Sequence, residues 1–504
     1  MSEEQPHRWP PHLPRPHLRR PPPLRGDVPA EPRPIRDLLK HTQFRTVPVP
    51  EPDDDSVTEE ARVHEALDLT IRVGELMLRS GAGAPQVEGA IAAVAAGAGL
   101  GDLELDITLQ SILVQSTGES GVPYTLLRVV RQPRHDYARV VAIHDLVARF
   151  AAGAISVPEA AEELRRIKQH RRNWSDWMVQ FANACLASAV AVMIGATAFA
   201  AAVTVLLVLA VSAVNARLAR AGLPEFYANA INALIVTLLA GSVYAGAAAA
   251  SFAPLGQADF AFIVAGGIVA MLPGRTMASA IEDVLFGFPL TGAGRLLAVG
   301  FALFGLIIGI AVGLSFMVRL TQAMSTSFVS PDILELRTSG ANWVLALLGA
   351  FVVGGAGAVT VQSRRKLILP AAVLSAGAVG VASFLTRVVD IGPITAPGIA
   401  AVTLGLVGRM VALRLGAPAM AVVVPASLGL LPGLTIFRGL YEMVADTGPN
   451  AGLLSVQSGI TTLLGAAAVL LAIATGTVFG EILAAPLDRH AGESRRQSRR
   501  RSVS

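Results

Sequence analysis

The sequence has very little cysteine, charge or aromatic content. Cys185 is the single cysteine among 504 residues, which excludes disulfides, thiolate metal sites and CxxC redox chemistry. Only 15% of the residues are charged and 5% are aromatic, whereas 53% are hydrophobic. This composition is too apolar for a soluble protein of this length and is typical of a polytopic membrane protein.

Motifs for ATP-driven transport and for hydrolytic chemistry are also missing from the sequence. It contains neither the phosphate-binding pattern G-x-x-x-x-G-K-[ST] nor the nucleophile pattern G-x-S-x-G, and no cluster of residues has metal-ligand spacing. His144 and Asp145 form a lone pair, which is weak support for catalysis. We therefore expect no enzyme activity, no cofactor and no metal site.

The ends of the chain are basic. Residues 1–56 alternate proline with arginine and histidine and lack the apolar segment of a signal peptide, so a disordered tail is expected there. Residues 486–504 form a second, arginine-rich tail. The net charge of +4 is spread over tails and short loops, and hardly any aromatic residues accompany it. This distribution favours contact with anionic membrane lipids over binding of nucleic acid.

Residues 57–172 are predicted to form a small α+β domain on the cytoplasmic side. Helical periodicity is found over 58–79, 84–98, 137–152 and 157–170. Strand-like runs occupy 103–108, 111–116 and 124–130, with turn residues between the last two. The expected element order is α–α–β–β–β–α–α.

The rest of the chain, up to about residue 485, is predicted to cross the membrane ten times, because a spanning helix needs about 20 apolar residues. The predicted crossings are 177–194, 198–214, 229–249, 258–272, 296–318, 342–361, 367–385, 393–412, 418–432 and 459–482. With this count, most lysine and arginine residues of the loops fall on the side of the domain, as expected for cytoplasmic loops. Both termini are therefore predicted to be cytoplasmic.

A repeated motif divides these crossings into two halves. Leu272-Pro273-Gly274-Arg275-Thr276 returns as Leu431-Pro432-Gly433-Leu434-Thr435, and each copy ends an unusually short apolar run. Five crossings separate the copies, so the second copy has the opposite orientation in the membrane. The motif predicts a five-plus-five inverted repeat, with halves at 173–338 and 339–485. Broken helices at matching positions of inverted halves are typical of the substrate site of secondary transporters.

The breaks and the acids that follow them are the candidate functional residues. Pro273 and Gly274, like Pro432 and Gly433, end a helix and are candidates for gating positions. The segments after them have helical periodicity but are not long or apolar enough to span, and each could be a half-helix that dips back towards the middle of the membrane.

An acid stands seven residues after each threonine, on the same helix face: Asp283 after Thr276, and Glu442 after Thr435. A hydroxyl and a carboxylate on one face suit a zwitterionic or polyol substrate, and a partly desolvated acid can carry a coupling proton. Glu282 could share that proton with Asp283. The alternative is that these acids form ion pairs at the membrane surface with Arg275, Arg295 or Arg438.

Asn229 and Asn232 share one face of the third crossing and are weaker candidates for substrate contact. Asparagine within a membrane helix more often forms hydrogen bonds to a neighbouring helix, and we favour that interpretation for both residues.

The chain resembles the threonine/serine exporter family over about residues 57–485. The resemblance lies in the ten crossings, the doubled Leu-Pro-Gly-x-Thr and two segments of the N-terminal domain, Ser80-Gly81-Ala82-Gly83-Ala84-Pro85-Gln86-Val87-Glu88 and Asp106-Ile107-Thr108. The resemblance implies a cytoplasmic N-terminal domain before ten membrane helices. It also implies export of threonine and serine from bacterial cells, driven by the proton gradient or the membrane potential. The family commonly has arginine where this chain has Gln86.

We therefore expect a secondary exporter of small hydroxy amino acids in the bacterial plasma membrane, with protons among its partners and with coupling to the proton gradient or to the membrane potential. Two alternatives remain open at this stage. One is a transporter of another small polar solute, and the other is a membrane sensor or enzyme that acts through residues 57–172.

Overall fold

A computed structural model describes residues 56–117, 123–130, 134–249, 257–272, 274–323, 342–445 and 453–486. The predicted tails at 1–56 and 486–504 lie outside the described residues except for Ser56 and Pro486, and Pro273, one of the four predicted break residues, also lies outside them.

The N-terminal part has the predicted element order, with boundaries within two residues of those expected. Its elements are α1 (Ser56–Arg79), α2 (Ala84–Gly97), β1 (Glu104–Thr108), β2 (Ser111–Thr117), β3 (Pro123–Val129), α3 (Tyr137–Ala151) and α4 (Val157–Gln169). The strands form an antiparallel sheet in the order β1-β2-β3, in which Ile107 faces Ile112. Alternate residues of β2, Ile112 and Val114, are fully buried against the helices, as the period of two requires.

Local signals explain where α1 ends and α2 begins. The Ser80 hydroxyl donates to the Leu76 carbonyl at 2.7 Å, and Gly81 follows with a φ of +90°. The backbone N–H of Gly83 donates to the Gln86 side chain at 3.0 Å. This bond satisfies a donor next to the first turn of α2, where backbone N–H groups lack helical partners. The two helices pack closely, since a Cβ at Gly74 would lie 2.5 Å from Ile91.

Twelve helices follow in the described residues, and they match the predicted apolar runs. They are α5 (Asp176–Ile194), α6 (Ala198–Arg220), α7 (Glu225–Ala249), α8 (Gln257–Val269), α9 (Gly274–Leu285), α10 (Pro289–Ala323), α11 (Trp343–Thr360), α12 (Arg365–Arg387), α13 (Thr395–Leu415), α14 (Met420–Ser427), α15 (Gly433–Ala445) and α16 (Leu453–Ala484). A 3-10 turn, Leu428–Leu430, extends α14.

Eight of the described helices are long and apolar enough to cross a membrane by themselves. Two further pairs pass the same test only when each is taken together, and both are bent at a short break. The pair α8 and α9 bends by 51°, and α14 with its 3-10 turn meets α15 at 47°. The chain is therefore a polytopic helical membrane protein with eight to ten crossings.

Small residues allow the long helices to approach each other closely. In the first half, Gly305 and Gly309 of α10 lie against the carbonyls of Phe226 and Ala230 in α7, so closely that a Cβ would overlap those oxygens. In the second half, Gly480 of α16 has the same relation to a carbonyl of α13. In lipid the hydrophobic effect does not drive helices together. Close packing at small residues such as these glycines takes its place.

Candidate functional site

The two helix breaks lie against each other in the interior of the membrane part. A Cβ at Gly274 would lie 2.8 Å from the Leu431 side chain, and a Cβ at Gly433 would overlap Val269. Both breaks also adjoin one buried apolar cluster, which consists of Leu186, Ala189, Val190, Val269, Val353 and Leu428. Helix breaks are therefore present at both copies of the repeated motif, and the two breaks adjoin each other.

The threonines of the motif lie in the first turns of α9 and α15. Thr276 and Thr435 are both half-buried. Arg275, which precedes Thr276, donates from Nη1 to the hydroxyl of Thr360, the last residue of α11, at 2.9 Å. The first break is therefore joined by a side-chain hydrogen bond to the end of α11.

Asp283 is fully buried and has two partners. Its Oδ1 accepts from the backbone N–H of Ala84, the first residue of α2, at 2.9 Å, and its Oδ2 accepts from Arg295 Nη1 at 2.5 Å. The carboxylate thus connects α9 to α10 and also to the N-terminal helices. An acid at a helix N-terminus is favourable because the helix dipole is positive there.

Glu282 contacts the same N-terminal segment. Gln86 Nε2 donates to Glu282 Oε1 at 2.8 Å. A Cβ at Gly83 would lie 3.5 Å from oxygen atoms of both Glu282 and Asp283, so the chain passes directly over the two acids. The segment that carries the family resemblance therefore lies on the face of α9 that carries these acids.

Glu442, the acid of the second copy, has partners in its own half. It accepts from Arg438 Nε at 2.7 Å, from the Ser458 hydroxyl at 3.1 Å and from the Thr462 hydroxyl at 2.7 Å. Its side chain is 14% exposed. Asp283 forms an ion pair with Arg295, and Glu442 forms one with Arg438. Both arginines are among those that the ion-pair alternative named. Each acid also contacts the long helix that follows it.

The two asparagines of α7 form bonds to neighbouring helices. Asn229 Nδ2 donates to the Ala302 carbonyl of α10 at 3.4 Å, and Asn232 Nδ2 donates to Asn215 Oδ1 of α6 at 2.9 Å. Asn232 is only 2% exposed. These contacts are those expected of residues that hold helices together, which was the favoured interpretation.

A second contact joins the N-terminal part to the connection between α11 and α12, and sequence reasoning missed it. The backbone N–H of Tyr137 donates to the Val361 carbonyl at 2.9 Å. The Gln362 side chain accepts from the backbone N–H of Trp174 and donates to its carbonyl, both at 2.9 Å. The Trp174 indole N–H donates to the Ser363 carbonyl at 2.9 Å. The available signal was a pair of tryptophans, Trp174 and Trp177, just before and at the start of the first predicted crossing, since tryptophan favours membrane interfaces.

A third contact involves the β1–β2 turn. The backbone N–H of Leu109 donates to the Thr291 hydroxyl at 3.0 Å, and that hydroxyl donates to the Ile107 carbonyl at 3.1 Å. Thr291 is in the first turn of α10. The N-terminal part is therefore held at α9, α10 and the α11–α12 connection, which belong to both predicted halves.

Three buried polar side chains at this junction have an atom with no hydrogen-bond partner among the described residues: His135, at Nδ1, and Tyr137 and Ser363, at their hydroxyls. Burial, together with the positive charges of Arg275 and Arg295, lowers the pKa of His135 to about 3. Burial raises the pKa of Tyr137 to about 12, with an opposing effect from Arg275 and a supporting one from Glu282. His135 and Tyr137 are therefore uncharged at neutral pH.

No group of three or more metal-ligating side chains occurs in the part of the chain that the structure describes. The arrangement offers buried charge pairs, hydroxyl groups and two adjoining helix breaks.

Two family models match the sequence on either side of the predicted midpoint. One, described as a putative threonine/serine exporter, matches residues 68–317, and a second, also for the threonine/serine exporter, matches residues 346–483. The chain belongs to the threonine/serine exporter family. These matches confirm the predicted resemblance. The members of the family are transporters, not enzymes.

Curated relatives agree with this assignment. The chain is 29% identical over 445 residues to a probable threonine/serine exporter of Mycobacterium tuberculosis. The aligned region covers 86% of this chain and 79% of the relative. It is 25% identical over 436 residues to a threonine/serine exporter of Corynebacterium glutamicum, with 86% and 85% covered. No solved structure matches the chain significantly. The chain is thus a multi-pass bacterial membrane protein of amino-acid export.

Proposed function

We propose that this exporter family member moves threonine and serine across the plasma membrane by alternating access around the two adjoining helix breaks. The contact of Gly274 with Leu431, and of Gly433 with Val269, is the observation that carries the proposal. A helix interrupted at membrane depth leaves backbone groups free for a polar ligand, and such backbone is tolerated only where protein or a cavity surrounds it. The names of both relatives support the same substrates.

Each bent pair is proposed to be one broken span. α8 has 13 residues and so reaches only about 20 Å, less than the roughly 30 Å of the hydrocarbon core. Bends of 51° and 47° carry the chain onward, whereas a re-entrant half-helix would have to turn back. This gives ten crossings, and the distribution of basic loops then supports a cytoplasmic N-terminal domain and cytoplasmic termini.

The packing of the helices supports the proposed five-plus-five inverted repeat. α7 packs along α10 in the first half, and α13 packs along α16 in the second. α8 contacts α6 and α7, just as α14 contacts α12 and α13. Between the halves, α5 contacts α11, while α9 contacts α16 and α10 contacts α15. These correspondences are those of a pseudo-two-fold axis, and the two family models divide at the same place.

Asp283 and Glu442 are proposed to occupy equivalent positions at the inner and outer gates, with Thr276 and Thr435 beside them. Each acid exchanges its present cation for substrate or a proton as its gate opens. Coupling to the proton gradient follows from a carboxylate that is alternately paired and unpaired, because loss of the cation favours protonation of a buried acid.

Replacement of both acids, Asp283→Asn with Glu442→Gln, should abolish threonine efflux from cells loaded with threonine peptides. The matched control is Glu104→Gln, at an exposed acid of β1. Unchanged efflux at normal protein levels would remove these acids from the mechanism.

The substrate class is tested by counterflow in proteoliposomes with labelled threonine, in competition with serine and with unrelated small solutes. Threonine and serine should compete, and a pH gradient should change net flux but not exchange. Competition by an unrelated polar solute alone would contradict the proposed substrates.

A further inference from the structure

The face of α9 under the N-terminal helices carries one cation and one acid at matched positions. Arg275 and Glu282 are seven residues apart, which places them on one helix face two turns from each other. Both side chains lie at the junction: Arg275 contacts Thr360 at the end of α11, and Glu282 contacts Gln86 of α2. A positive and a negative group therefore lie on one face of α9, at its junction with the N-terminal part.

Arg275 differs from the other arginines near the breaks. Arg295 pairs with Asp283, and Arg438 pairs with Glu442. Among the described residues Arg275 has no ion pair, and its hydrogen bond to the Thr360 hydroxyl uses one of five guanidinium N–H groups. It also lies in the first turn of α9, where the helix dipole adds positive potential. The remaining donors suit a carboxylate, which guanidinium groups bind in a bidentate manner.

Tyr137 lies at the same junction and belongs to the N-terminal part. Its backbone is bonded to Val361, next to the Thr360 that holds Arg275. Its side chain is fully buried, and its hydroxyl has no partner in the described residues. The charges of Arg275, Glu282 and Arg295 all act on this hydroxyl. A buried hydroxyl without a partner costs free energy, so a group that binds it would be stabilised.

His135 lies next to Tyr137, with the two ring centroids 6.1 Å apart, and we do not assign it a contact with a ligand. Its Nδ1 lies against Gly81, where a Cβ would approach to 2.6 Å, and Gly81 has a φ of +90°. The glycine is thus required twice, by the close approach and by the backbone conformation.

We infer that Arg275, Glu282 and Tyr137 form a binding site for the amino and carboxyl groups of the amino acid to be exported, closed on the cytoplasmic side by the N-terminal domain. Arg275 and the Tyr137 hydroxyl bind the carboxylate. Glu282 binds the ammonium group through Oε2, since Oε1 is bonded to Gln86. This site rests on the proposed function and extends it, because it assigns substrate contacts to a residue of the domain.

Binding of labelled threonine to the purified full-length protein tests the site. Arg275→Gln and Glu282→Gln should each raise the dissociation constant by about 10- to 100-fold, the usual effect of losing a hydrogen bond to a charged group. Tyr137→Phe removes a single oxygen that has no hydrogen-bond partner among the described residues, so this variant should fold and should bind several-fold more weakly.

Two analogues separate the roles of the charges. Threoninamide lacks the carboxylate, and N-acetylthreonine lacks the ammonium group. Wild-type protein should prefer threonine to both, Arg275→Gln should lose the preference over threoninamide, and Glu282→Gln should lose the preference over N-acetylthreonine. The matched controls are Tyr124→Phe on β3 and Arg217→Gln at the exposed end of α6, and neither should change binding.

If wild-type protein transports threonine while all three variants bind it as the wild type does, the site is wrong and the proposed function stands. If wild-type protein neither binds nor transports threonine, the proposed function itself fails. Weaker binding by Tyr137→Phe with wild-type binding by Tyr124→Phe supports the site even where the charge variants do not fold.

Discussion

Among the charged residues at the junction, Asp283 is the most demanding case. Its side chain is fully buried, whereas that of Arg295 is 21% exposed. Removing one partner of a buried pair leaves an uncompensated charge, which is far more costly than removing both. The Ala84 N–H bond supplies part of the compensation but no countercharge.

At the residue scale, Arg295→Gln should destabilise the folded protein by about 3 to 5 kcal/mol, since it leaves the Asp283 carboxylate buried without its cation. The double variant Asp283→Asn with Arg295→Gln should recover part of this loss. Thermal unfolding of detergent-solubilised protein measures both effects, with Arg217→Gln as a control. A double variant less stable than Arg295→Gln alone would show that the ion pair is not the cause.

Helix breaks dominate the element scale. α8 and α14 end where the Leu-Pro-Gly-x-Thr motif begins, because proline lacks a backbone donor and the residue before it is disfavoured in helical conformation. The glycine after the proline then allows the opposite break to approach. One pentapeptide thus both interrupts a helix and creates the contact between two interrupted helices.

Gly433→Ala should reduce threonine export strongly at normal protein levels, because the added Cβ would overlap Val269 and separate the breaks. Val269→Ala should restore export in the Gly433→Ala background by removing the overlapping methyl groups. Gly465→Ala in α16 is the matched control, since its Cβ would meet nothing within 4 Å. Efflux from peptide-loaded cells measures all three, and full export by Gly433→Ala alone would contradict the role of this contact.

Across the whole molecule, contacts between the halves are made by several helices and by the N-terminal part. α5 with α11 and the reciprocal contacts of α9 with α16 and of α10 with α15 form one interface. The N-terminal part, joined in sequence to the first half, is also bonded to Val361 and Gln362 of the second. The halves therefore hold together through many contacts besides the peptide connection.

Two separately expressed polypeptides, residues 1–332 and 333–504, should assemble and export threonine. The interface between the halves does not depend on the covalent link between α10 and α11. A cut after Leu238, within α7, should abolish export, because it divides a membrane helix. Co-purification and efflux measure the outcome, and separation of the halves in mild detergent would contradict it.

Much of the architecture was predictable from local patterns. The boundaries of α1 to α4 and of the three strands were predicted within two residues, since the helical and strand periodicities act over short distances. The apolar runs were equally clear, because lipid requires long apolar helices with satisfied backbone groups. The acids were recognised as special, but their partners were not identified individually.

The contacts that the sequence did not indicate join distant parts of the chain. Ala84 and Asp283 are 199 positions apart, and Trp174 and Gln362 are 188 apart. Nothing in the neighbourhood of either residue indicates such a contact, and the α11–α12 connection has the composition of an ordinary basic loop. Tyr137 was likewise indistinguishable from a core aromatic residue.

The sequence by itself determined the membrane class, the order of the elements and the family, because hydropathy, periodicity and a repeated motif are written in neighbouring residues. Only the tertiary structure decided that the two breaks adjoin and that the N-terminal part covers the acids of α9. It also decided that the Tyr137 backbone bonds to Val361, next to the Thr360 that accepts a hydrogen bond from Arg275. The physical reason is that these contacts depend on how folded elements pack, and packing brings together residues that are far apart along the chain.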